Sequence, residues 1–438
     1  MRAGRVLAII LLLGGLIGVL VDAGEIFTRF LYLGALVIVV SWLWTQFALR
    51  GVSVKRRTRS LRASVGDTFE EHFELANDSR IGKLWIELAN ESNMPVAHGS
   101  RLMTMIGRKQ KRTHIARTWL FRRGGYKLGP TRLVSGDPFG LFRTEKVFPA
   151  EHSLVVLPMI YEISSFLSPP GLLAGGQVIR RKALDITPHA SGVREYVPGD
   201  PMKRIHWPST ARRGQLIVKE FEQDPHAEVW LFLDAQHVVQ AEKPSEAPEA
   251  YTDGWMLDRR PKFELPPSTL EYAISITASL AHYYLKQPRA VGLVTATPQF
   301  RIIPAERSER QEGKILETLA FIEAEGTLSI AGLVAAQAGQ LPQGSSAILV
   351  TPTVYPELVS AVDDLQRRSM RPVVILLIAD SFGGSKGGEI IYNALLERNV
   401  PVCRIYCGAN ITLELSSFSS HLILQEPSWQ RPPLSHLT

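Results

Sequence analysis

Two long apolar runs dominate the N-terminal part of the chain. Val6–Val21 and Phe30–Leu49 contain sixteen and twenty residues, respectively, without a charged side chain. Twenty helical residues extend about 30 Å, which is the thickness of the hydrocarbon core of a bilayer. The pattern predicts a transmembrane helical hairpin over residues 1–50. A cleaved signal peptide formed by the first run is the alternative, in which the second run still anchors the chain.

Short apolar runs separated by turn residues follow over residues 51–160. Stretches such as Thr68–Leu75 and Leu84–Leu88 alternate with a period near two, as half-buried strands do. This spacing predicts an antiparallel β-sandwich-like domain. The turn Gly136–Phe142 is rich in Gly, Asp and Pro, and we expect Phe139, Leu141 and Phe142 to pack it into the core.

Continuous apolar runs alternate with amphipathic helical patterns over residues 226–438. Continuous runs are typical of parallel strands that are buried on both faces, so the pattern predicts a doubly wound α/β domain. Gln299–Ile303 follows the second run so closely that we expect an antiparallel edge strand there. The predicted fold class is therefore α+β multidomain. The predicted strands are Val229–Asp234, Ala290–Thr295, Ala347–Thr351, Pro372–Ala379 and Val402–Tyr406.

The net charge of +7 lies entirely in residues 1–66, which hold nine basic and two acidic side chains. In a hairpin, the basic residues before the first apolar run and those after the second lie on the same side of the membrane. The positive-inside rule therefore places the N-terminus and the large C-terminal region in the cytoplasm, at the cell (inner or plasma) membrane. Arg101–Arg132 adds ten basic residues and no acid. A headgroup-facing or solvated sheet face explains these residues as well as a nucleic-acid surface does, and we expect no nucleic-acid partner.

A dense polar motif lies in the predicted connector, residues 161–225. Three interpretations stay open: a docking or structural loop anchored by Trp207, an anion site built on arginine forks, and a catalytic site in which Asp200 or Glu195 orients His206 and Ser209 is the nucleophile. The residues of interest are Arg194, Glu195, Tyr196, Asp200, Arg204, His206, Trp207 and Arg212. The motif ends near Lys219.

The stretch Arg194–Trp207, followed by Ala211–Leu216 and Lys219–Phe221, resembles the signature of the family "domain of unknown function 58". Arg123–Pro130 and Gly136–Phe142 also fit that family. The resemblance implies a membrane-tethered protein that is often encoded beside MoxR-type AAA+ ATPases and transglutaminase-like membrane proteins. It also implies a C-terminal domain similar to von Willebrand factor A modules.

Such modules typically bind a divalent metal at the carboxyl ends of their strands through hard oxygen ligands. Asp234 matches the first ligand position, Gln236 and Val238 replace two serines, and Thr327 aligns with a threonine. The segment after the later strand, at Thr351, has no carboxylate. We therefore expect a degenerate site with no metal and no cofactor.

The prediction for function is a non-enzymatic, membrane-anchored cytoplasmic adaptor or scaffold. The partners implied by the resemblance are a MoxR-type AAA+ ATPase, with which it would assemble or mature protein complexes, and a transglutaminase-like membrane protein; the lipid bilayer is the third partner. The alternative is a ligand-binding or hydrolytic enzyme that uses the motif Arg194–Lys219. Three roles are open for the acidic, proline-rich insertion at residues 240–268: covering the strand ends, recruiting a basic partner, or forming a neutral surface.

Overall fold

The fold is a mixed α+β arrangement. The computed structural model describes residues 2–22, 24–95, 99–149, 152–167, 192–197, 202, 205–220, 228–244, 263–287 and 289–425. The chain divides into two compact units. Unit 1 comprises Met1–Ile160, Lys243–Ala278 and Gly313–Glu323, and unit 2 comprises Tyr161–Glu242, Ser279–Glu312 and Ala324–Thr438.

Unit 1 begins with two apolar helices, α1 (Arg2–Leu20) and α2 (Glu25–Ala48). In the part of the chain that the structure describes, α2 is the one helix long and apolar enough to cross a membrane, and the apolar part of α1, Arg5–Leu20, is shorter. Most side chains of α2 are exposed in the protein itself. An apolar helix that no protein core covers is suited to a lipid environment.

Glycines bring α1 and α2 together. A Cβ on Gly15 would lie 2.7 Å from the backbone nitrogen of Leu31, and a Cβ on Gly34 would lie 3.2 Å from the side chain of Leu12. The contacting positions run in opposite directions along the two helices, so the pair is antiparallel. Small residues at such contacts allow close approach of two backbones, as in helix pairs within membranes.

Ten strands follow in the described part of unit 1. They are β1 (Val52–Thr58), β2 (Arg62–Ser64), β3 (Thr68–Asn77), β4 (Lys83–Asn90), β5 (Arg101–Ile106), β6 (Lys111–Trp119), β7 (Gly124–Leu128), β8 (Thr131–Gly136), β9 (Arg143–Phe148) and β10 (His152–Leu157). The antiparallel sheets β1-β3-β6 and β5-β4-β8-β9 share one core, to which Phe73 and Leu75 contribute from one sheet and Ile86, Leu88 and Leu133 from the other. The third sheet, β2-β10-β7, has a parallel β2–β10 pair. The expectation that all pairing is antiparallel was wrong for this pair, because a three-residue strand carries too little periodicity to predict its partner.

The turn between β8 and β9 is organised around Asp137. Its carboxylate is buried and accepts hydrogen bonds from the backbone nitrogens of Phe139 at 2.9 Å and Phe142 at 2.6 Å. Leu141 is buried as expected, but Phe139 is 54% exposed, so the expectation for its ring was wrong. Asp137 accepts the backbone hydrogen bonds of the turn, so the turn does not depend on burial of the Phe139 ring.

Arg123, which begins the Arg-Gly-Gly-Tyr stretch, is buried within unit 1. Its Nε donates to the carbonyl of Leu319 at 3.1 Å, a second guanidinium nitrogen donates to the carbonyl of Ile322, and a third forms an ion pair with Glu271. Burial lowers the pKa of Arg123 to about 10, so the guanidinium stays charged at neutral pH. Arg123 thus links three segments of unit 1 that are far apart in the sequence.

Unit 2 contains a small two-stranded sheet and a large mixed sheet. The small sheet pairs β11 (Gly192–Glu195) with β12 (Ile217–Glu220), and helix α3 (Trp207–Arg213) lies between them in sequence. The large sheet consists of β13 (Val229–Leu233), β14 (Val291–Thr297), β15 (Gln299–Glu306), β16 (Ser346–Thr351), β17 (Arg371–Leu377) and β18 (Val402–Ile405). Its order is β15-β14-β13-β16-β17-β18, and β15 is the antiparallel edge strand next to β14. Each predicted strand of this domain is present.

Helices alternate with the strands of the large sheet along the chain, and the last helix follows the last strand. They are α4 (Thr269–Lys286), α5 (Glu309–Ala320), α6 (Ile330–Gln337), α7 (Glu357–Arg367), α8 (Gly388–Leu396) and α9 (Ile411–Gln425). In unit 2, side chains of α6, α7 and α8 share a core with the sheet, and Phe232, Leu349 and Leu376 contribute to it from three neighbouring strands. Because the central strands are parallel, their carboxyl ends meet at one edge, where ligands of such sheets usually bind.

Candidate functional sites

The carboxyl ends of β13 and β16 bring Asp234 and Thr351 together. Leu233 and Val350 are paired in the parallel ladder, and the next residues along each strand are Asp234 and Thr351. The Thr351 hydroxyl donates to Oδ2 of Asp234 at 2.6 Å. Both side chains are fully buried.

The second carboxylate oxygen of Asp234 also has a partner. Oδ1 accepts a hydrogen bond of 3.0 Å from the backbone nitrogen of Gln236. Burial raises the pKa of Asp234 to about 6, and the hydrogen bonds from Thr351 and Gln236 act in the opposite direction. Both oxygens of the Asp234 carboxylate therefore accept hydrogen bonds from groups within the protein.

Two threonines fix the loop that follows β16. The backbone nitrogen of Thr353 donates to Oγ1 of Thr351 at 3.0 Å, and the nitrogen of Tyr355 donates to Oγ1 of Thr353 at 3.3 Å. The Thr351 hydroxyl thus accepts from this loop while it donates to Asp234. The sequence showed that this segment lacks a carboxylate, but the role of its hydroxyls was not predicted. The Thr-Pro-Thr stretch directly after a buried strand is the pattern that could have indicated this role.

Gly326 brings a third segment to the same edge. Its nitrogen donates to the carbonyl of Ala235 at 3.0 Å, and its carbonyl accepts from the nitrogen of His237 at 2.9 Å. A Cβ at Gly326 would lie 2.8 Å from the carbonyl oxygen of Ala235, so only glycine fits here. The contact places Thr327 beside the loop that follows β13, where Thr327 is exposed.

A cleft of about 190 Å³ opens at this edge. Val238 is 68% exposed and Tyr355 is 45% exposed, so the cleft presents apolar surface to solvent. Among the lining residues, Glu357 is the one that carries a charge. The lining consists of Gln236, Val238, Ser329, Ile330, Ala331, Thr353, Tyr355, Glu357 and Leu358. We call it the carboxyl-edge cleft.

The residues at this edge do not fit a hard divalent cation. Asp234 directs both oxygens to protein donors, Val238 has no ligand atom, and the neighbouring side chain of Thr351 is neutral and donates to Asp234. Across the described residues, no three His, Cys, Asp or Glu side chains come together in a way that could hold a metal ion. A Mg²⁺ or Ca²⁺ ion needs about six oxygen ligands, and this donor set supplies too few.

The signature segment forms a compact strand–helix–strand structure. The nitrogen of Tyr196 donates to the carbonyl of Leu216 at 2.9 Å, and the nitrogen of His206 donates to the carbonyl of Ile217 at 2.7 Å. Ile205 and Ile217 are buried. The segment is therefore an ordered structural element where it is described.

Two predicted catalytic side chains lie next to each other in this segment. Nδ1 of His206 and Oγ of Ser209 are 2.7 Å apart, which is hydrogen-bonding distance. His206 directly precedes α3 and Ser209 lies in its first turn, so the local helix geometry brings them together. The same geometry also suits a local hydrogen bond between neighbouring side chains with no catalytic role.

The structure corrects the expectation for Trp207. Its side chain is 63% exposed, so it does not anchor the loop in an apolar core. The buried Ile205 and Ile217 anchor the segment instead, because their strand-like positions face inward. Arg212 and Glu195 are exposed, and Tyr196 is half-buried.

Several predicted site residues lie outside the described part of the chain. Asp200 and Arg204 are among them, and so are the side chains of Arg194 and Lys219. Most of the acidic insertion, residues 245–262, also lies outside it. The arginine-fork interpretation therefore remains a prediction.

Comparison with known proteins gives one family match. The model of the family described as "Protein of unknown function DUF58" matches residues 192–242. The "Uncharacterized protein YeaD" of Bacillus subtilis (strain 168) is 24% identical over 203 residues, which cover 45% of this chain and 43% of that protein. The chain thus matches less than half the length of this curated relative.

Two solved structures align with about a quarter of the chain. A chain from the complex of Zinc 2-glycoprotein and Prolactin inducible protein from human seminal plasma aligns with 24% of this chain and 92% of its own length, at 11% identity and a TM-score of 0.17. A beta-glucosidase from Listeria innocua in complex with glucose aligns with 24% of this chain and 16% of its own length, at 11% identity and a TM-score of 0.15. Scores this low carry no argument about fold or function.

Proposed function

We propose, building on the match of residues 192–242 to the DUF58 family model, that this chain is a membrane-anchored adaptor that docks a protein partner in the carboxyl-edge cleft. The partner class implied by the family resemblance is a MoxR-type AAA+ ATPase. The adaptor would hold this ATPase at the membrane during assembly or maturation of protein complexes. No catalytic step by this chain is required.

The carboxyl-edge cleft is the observation that carries the proposal. In a von Willebrand factor A-like domain, which the family resemblance implies, this edge would normally hold a divalent metal. Here the Asp234 carboxylate accepts hydrogen bonds from the Thr351 hydroxyl and from the backbone nitrogen of Gln236. Val238 and Tyr355 offer exposed apolar surface. Exposed apolar side chains around a cleft favour a protein partner over a small polar ligand.

The membrane part of the proposal is supported by α1 and α2. The hydropathy and length of α2 suit a span, and its antiparallel packing with α1 suits a transmembrane hairpin. Basic residues flank the apolar runs, at Arg2 and Arg5 before the first and from Arg50 onward after the second. By the positive-inside rule, both flanks and the remainder of the chain would then be cytoplasmic.

The test is a binding measurement with purified components. The full chain in detergent is titrated with a MoxR-type ATPase from the same organism, with ATP or ADP present. We expect saturable binding that Val238→Asp weakens at least tenfold, because a charge would be placed in the apolar mouth of the cleft. Leu413→Asp is the matched control, since Leu413 is an equally exposed leucine (64%) on α9.

Two outcomes contradict the proposal. Equal affinity for the wild type and Val238→Asp would exclude the cleft as the docking site. Absence of binding in either nucleotide state would exclude this partner class. A transglutaminase-like membrane protein is then the next partner to titrate.

A hydrolytic function is the second candidate, and the His206–Ser209 pair favours it. A histidine nitrogen 2.7 Å from a serine hydroxyl can accept its proton and raise its nucleophilicity. A fluorophosphonate probe that labels the wild type but not Ser209→Ala would support it, whereas equal labelling of His206→Ala and wild type would contradict the role of the histidine. An unlabelled wild-type chain leaves the adaptor as the preferred function.

A further inference from the structure

Three loops of unit 1 are joined into one surface at the end of α2. The nitrogen of Asp78 donates to the carbonyl of Gly51 at 2.8 Å, and the nitrogen of Lys109 donates to the carbonyl of Ser79 at 3.4 Å. The side chain of Asn77 donates to the carbonyls of Ile81 at 3.0 Å and Gly107 at 2.9 Å. We call this surface, residues 49–51, 78–82 and 105–110, the basic rim.

The basic rim is attached to the last turn of α2. The buried ammonium of Lys83, the first residue of β4, donates to the carbonyls of Phe47 at 2.7 Å and Arg50 at 3.0 Å. These carbonyls are at the end of the helix, where backbone acceptors lack helical partners. The rim is therefore held where α2 ends.

The charge of the rim is strongly positive. It contains the basic residues Arg50, Arg80, Arg108 and Lys109, all of them exposed, and one acid, Asp78, so it nets +3 from four basic and one acidic side chain. Lys111, just outside the rim, is paired with Glu74. Positive charge of this density attracts phosphate groups.

Exposed apolar side chains lie among these charges. Ile81 is 51% exposed and Met105 is 71% exposed. Met105 also has a φ of 54°, in the left-handed region that non-glycine residues rarely adopt. Exposed apolar residues beside basic ones are typical of surfaces that enter the headgroup layer of a membrane.

We infer that the basic rim binds the anionic headgroups of the bilayer that α2 crosses, with Ile81 and Met105 inserted among them. The inference rests on the proposed membrane anchor, because a spanning α2 ends at the headgroup layer. The position of the basic rim identifies its ligand. Because the rim lies directly at the end of α2, it would meet the lipid headgroups there. Anionic lipid would therefore fix the orientation of the adjoining strands on the membrane.

The experiment uses the full chain in nanodiscs of phosphatidylcholine, with or without phosphatidylglycerol. An environment-sensitive fluorophore is attached at Met105→Cys in a Cys403→Ala/Cys407→Ser background, and lipids with a headgroup nitroxide serve as quencher. We expect quenching in the anionic discs to be at least threefold stronger than in the neutral discs. The triple variant Arg80→Gln/Arg108→Gln/Lys109→Gln should remove this difference.

Two further label positions make the result interpretable. Ser60→Cys lies beyond the far end of β1, about 20 Å from the rim at the rise of a strand, and should stay unquenched. Val39→Cys lies on the exposed side of α2 and should be quenched by nitroxides placed at mid-chain. Each labelled variant is first shown to keep the wild-type melting temperature.

The outcomes are distinct. If Val39→Cys is not quenched, the membrane anchor is wrong. If it is quenched while Met105→Cys is not, or is quenched equally in neutral discs, the anchor stands and this inference fails. Salt-sensitive binding of an oligonucleotide to the rim, without quenching at position 105, would replace lipid by nucleic acid and would also overturn it.

Discussion

The Thr351 hydroxyl, at the end of β16, donates a hydrogen bond of 2.6 Å to Oδ2 of Asp234, directly after β13. A neutral donor thus binds one oxygen of this buried carboxylate. The carboxylate ties two neighbouring strands together. The edge that results presents mostly neutral side chains to the outside, with Glu357 as the charged residue of the cleft lining.

Replacing Thr351 by valine should destabilise the chain. The change keeps the shape of the side chain but removes the donor to buried Oδ2 and the acceptor for the nitrogen of Thr353. Loss of hydrogen bonds to a buried charge costs about 2–3 kcal/mol. Urea denaturation of the full chain in detergent measures this change, and Thr351→Ser, which keeps the hydroxyl, should stay within about 1 kcal/mol of the wild type. Equal loss in both variants would mean that the methyl group matters and the hydroxyl does not.

The pH dependence of stability should contain a contribution from Asp234. Its folded-state pKa of about 6 lies above the ordinary value near 3.9, so between these values the folded chain holds a proton that the unfolded chain has released. Stability from this group is therefore highest below about pH 4, falls as the pH rises to about 6, and is constant above that. Melting curves from pH 4 to pH 8 should show a decline on the order of 2–3 kcal/mol that Asp234→Asn lacks. A decline of the same size in this variant would assign the effect to other groups.

Arg123 should be one of the most sensitive positions in unit 1. Arg123→Ala would leave Glu271 without its ion pair and the carbonyls of Leu319 and Ile322 without this donor. Removal of one partner from a buried pair costs about 3–5 kcal/mol. Denaturation midpoints test this, and Arg122→Ala is the matched control because Arg122 is the adjacent, exposed arginine. Arg123→Lys should restore only part of the loss, since an ammonium cannot reproduce the guanidinium fork.

The contact between α1 and α2 depends on small residues. A side chain at Gly18 would overlap the ring of Phe27, whereas a Cβ at Gly14 meets no atom within 4 Å. Gly18→Leu should therefore separate the two helices, and Gly14→Leu should not. Cysteine crosslinking between Leu12 and Gly34 positions in detergent, scored as yield, compares the two. A high yield in Gly18→Leu would show that the helices can pack in another way.

The parts of the fold that the sequence predicted are those set by local pattern. Continuous apolar runs such as Val229–Asp234 can only be buried strands or helices, and their length and spacing select parallel strands. The close succession of Val291–Thr297 and Gln299–Glu306 likewise reveals the antiparallel edge. These features depend on residues that are neighbours in the chain.

The parts that escaped prediction depend on distant partners. The bonds from Arg123 reach residues 148 to 199 positions away, and no local spacing encodes them. Trp207 looked like an anchor because tryptophan is usually well buried, yet Ile205 and Ile217 fill that role. For the carboxyl edge, the sequence predicted that a divalent metal would find too few ligands, but not that the Thr351 hydroxyl of β16 donates to Asp234.

Lys83 has a mechanical consequence. Its ammonium joins the first residue of β4 to backbone carbonyls at the end of α2, so the helix and that strand are directly linked. A force applied to β4 would therefore be transmitted to the end of α2 through this contact. The start of the strand and the end of the helix would move together.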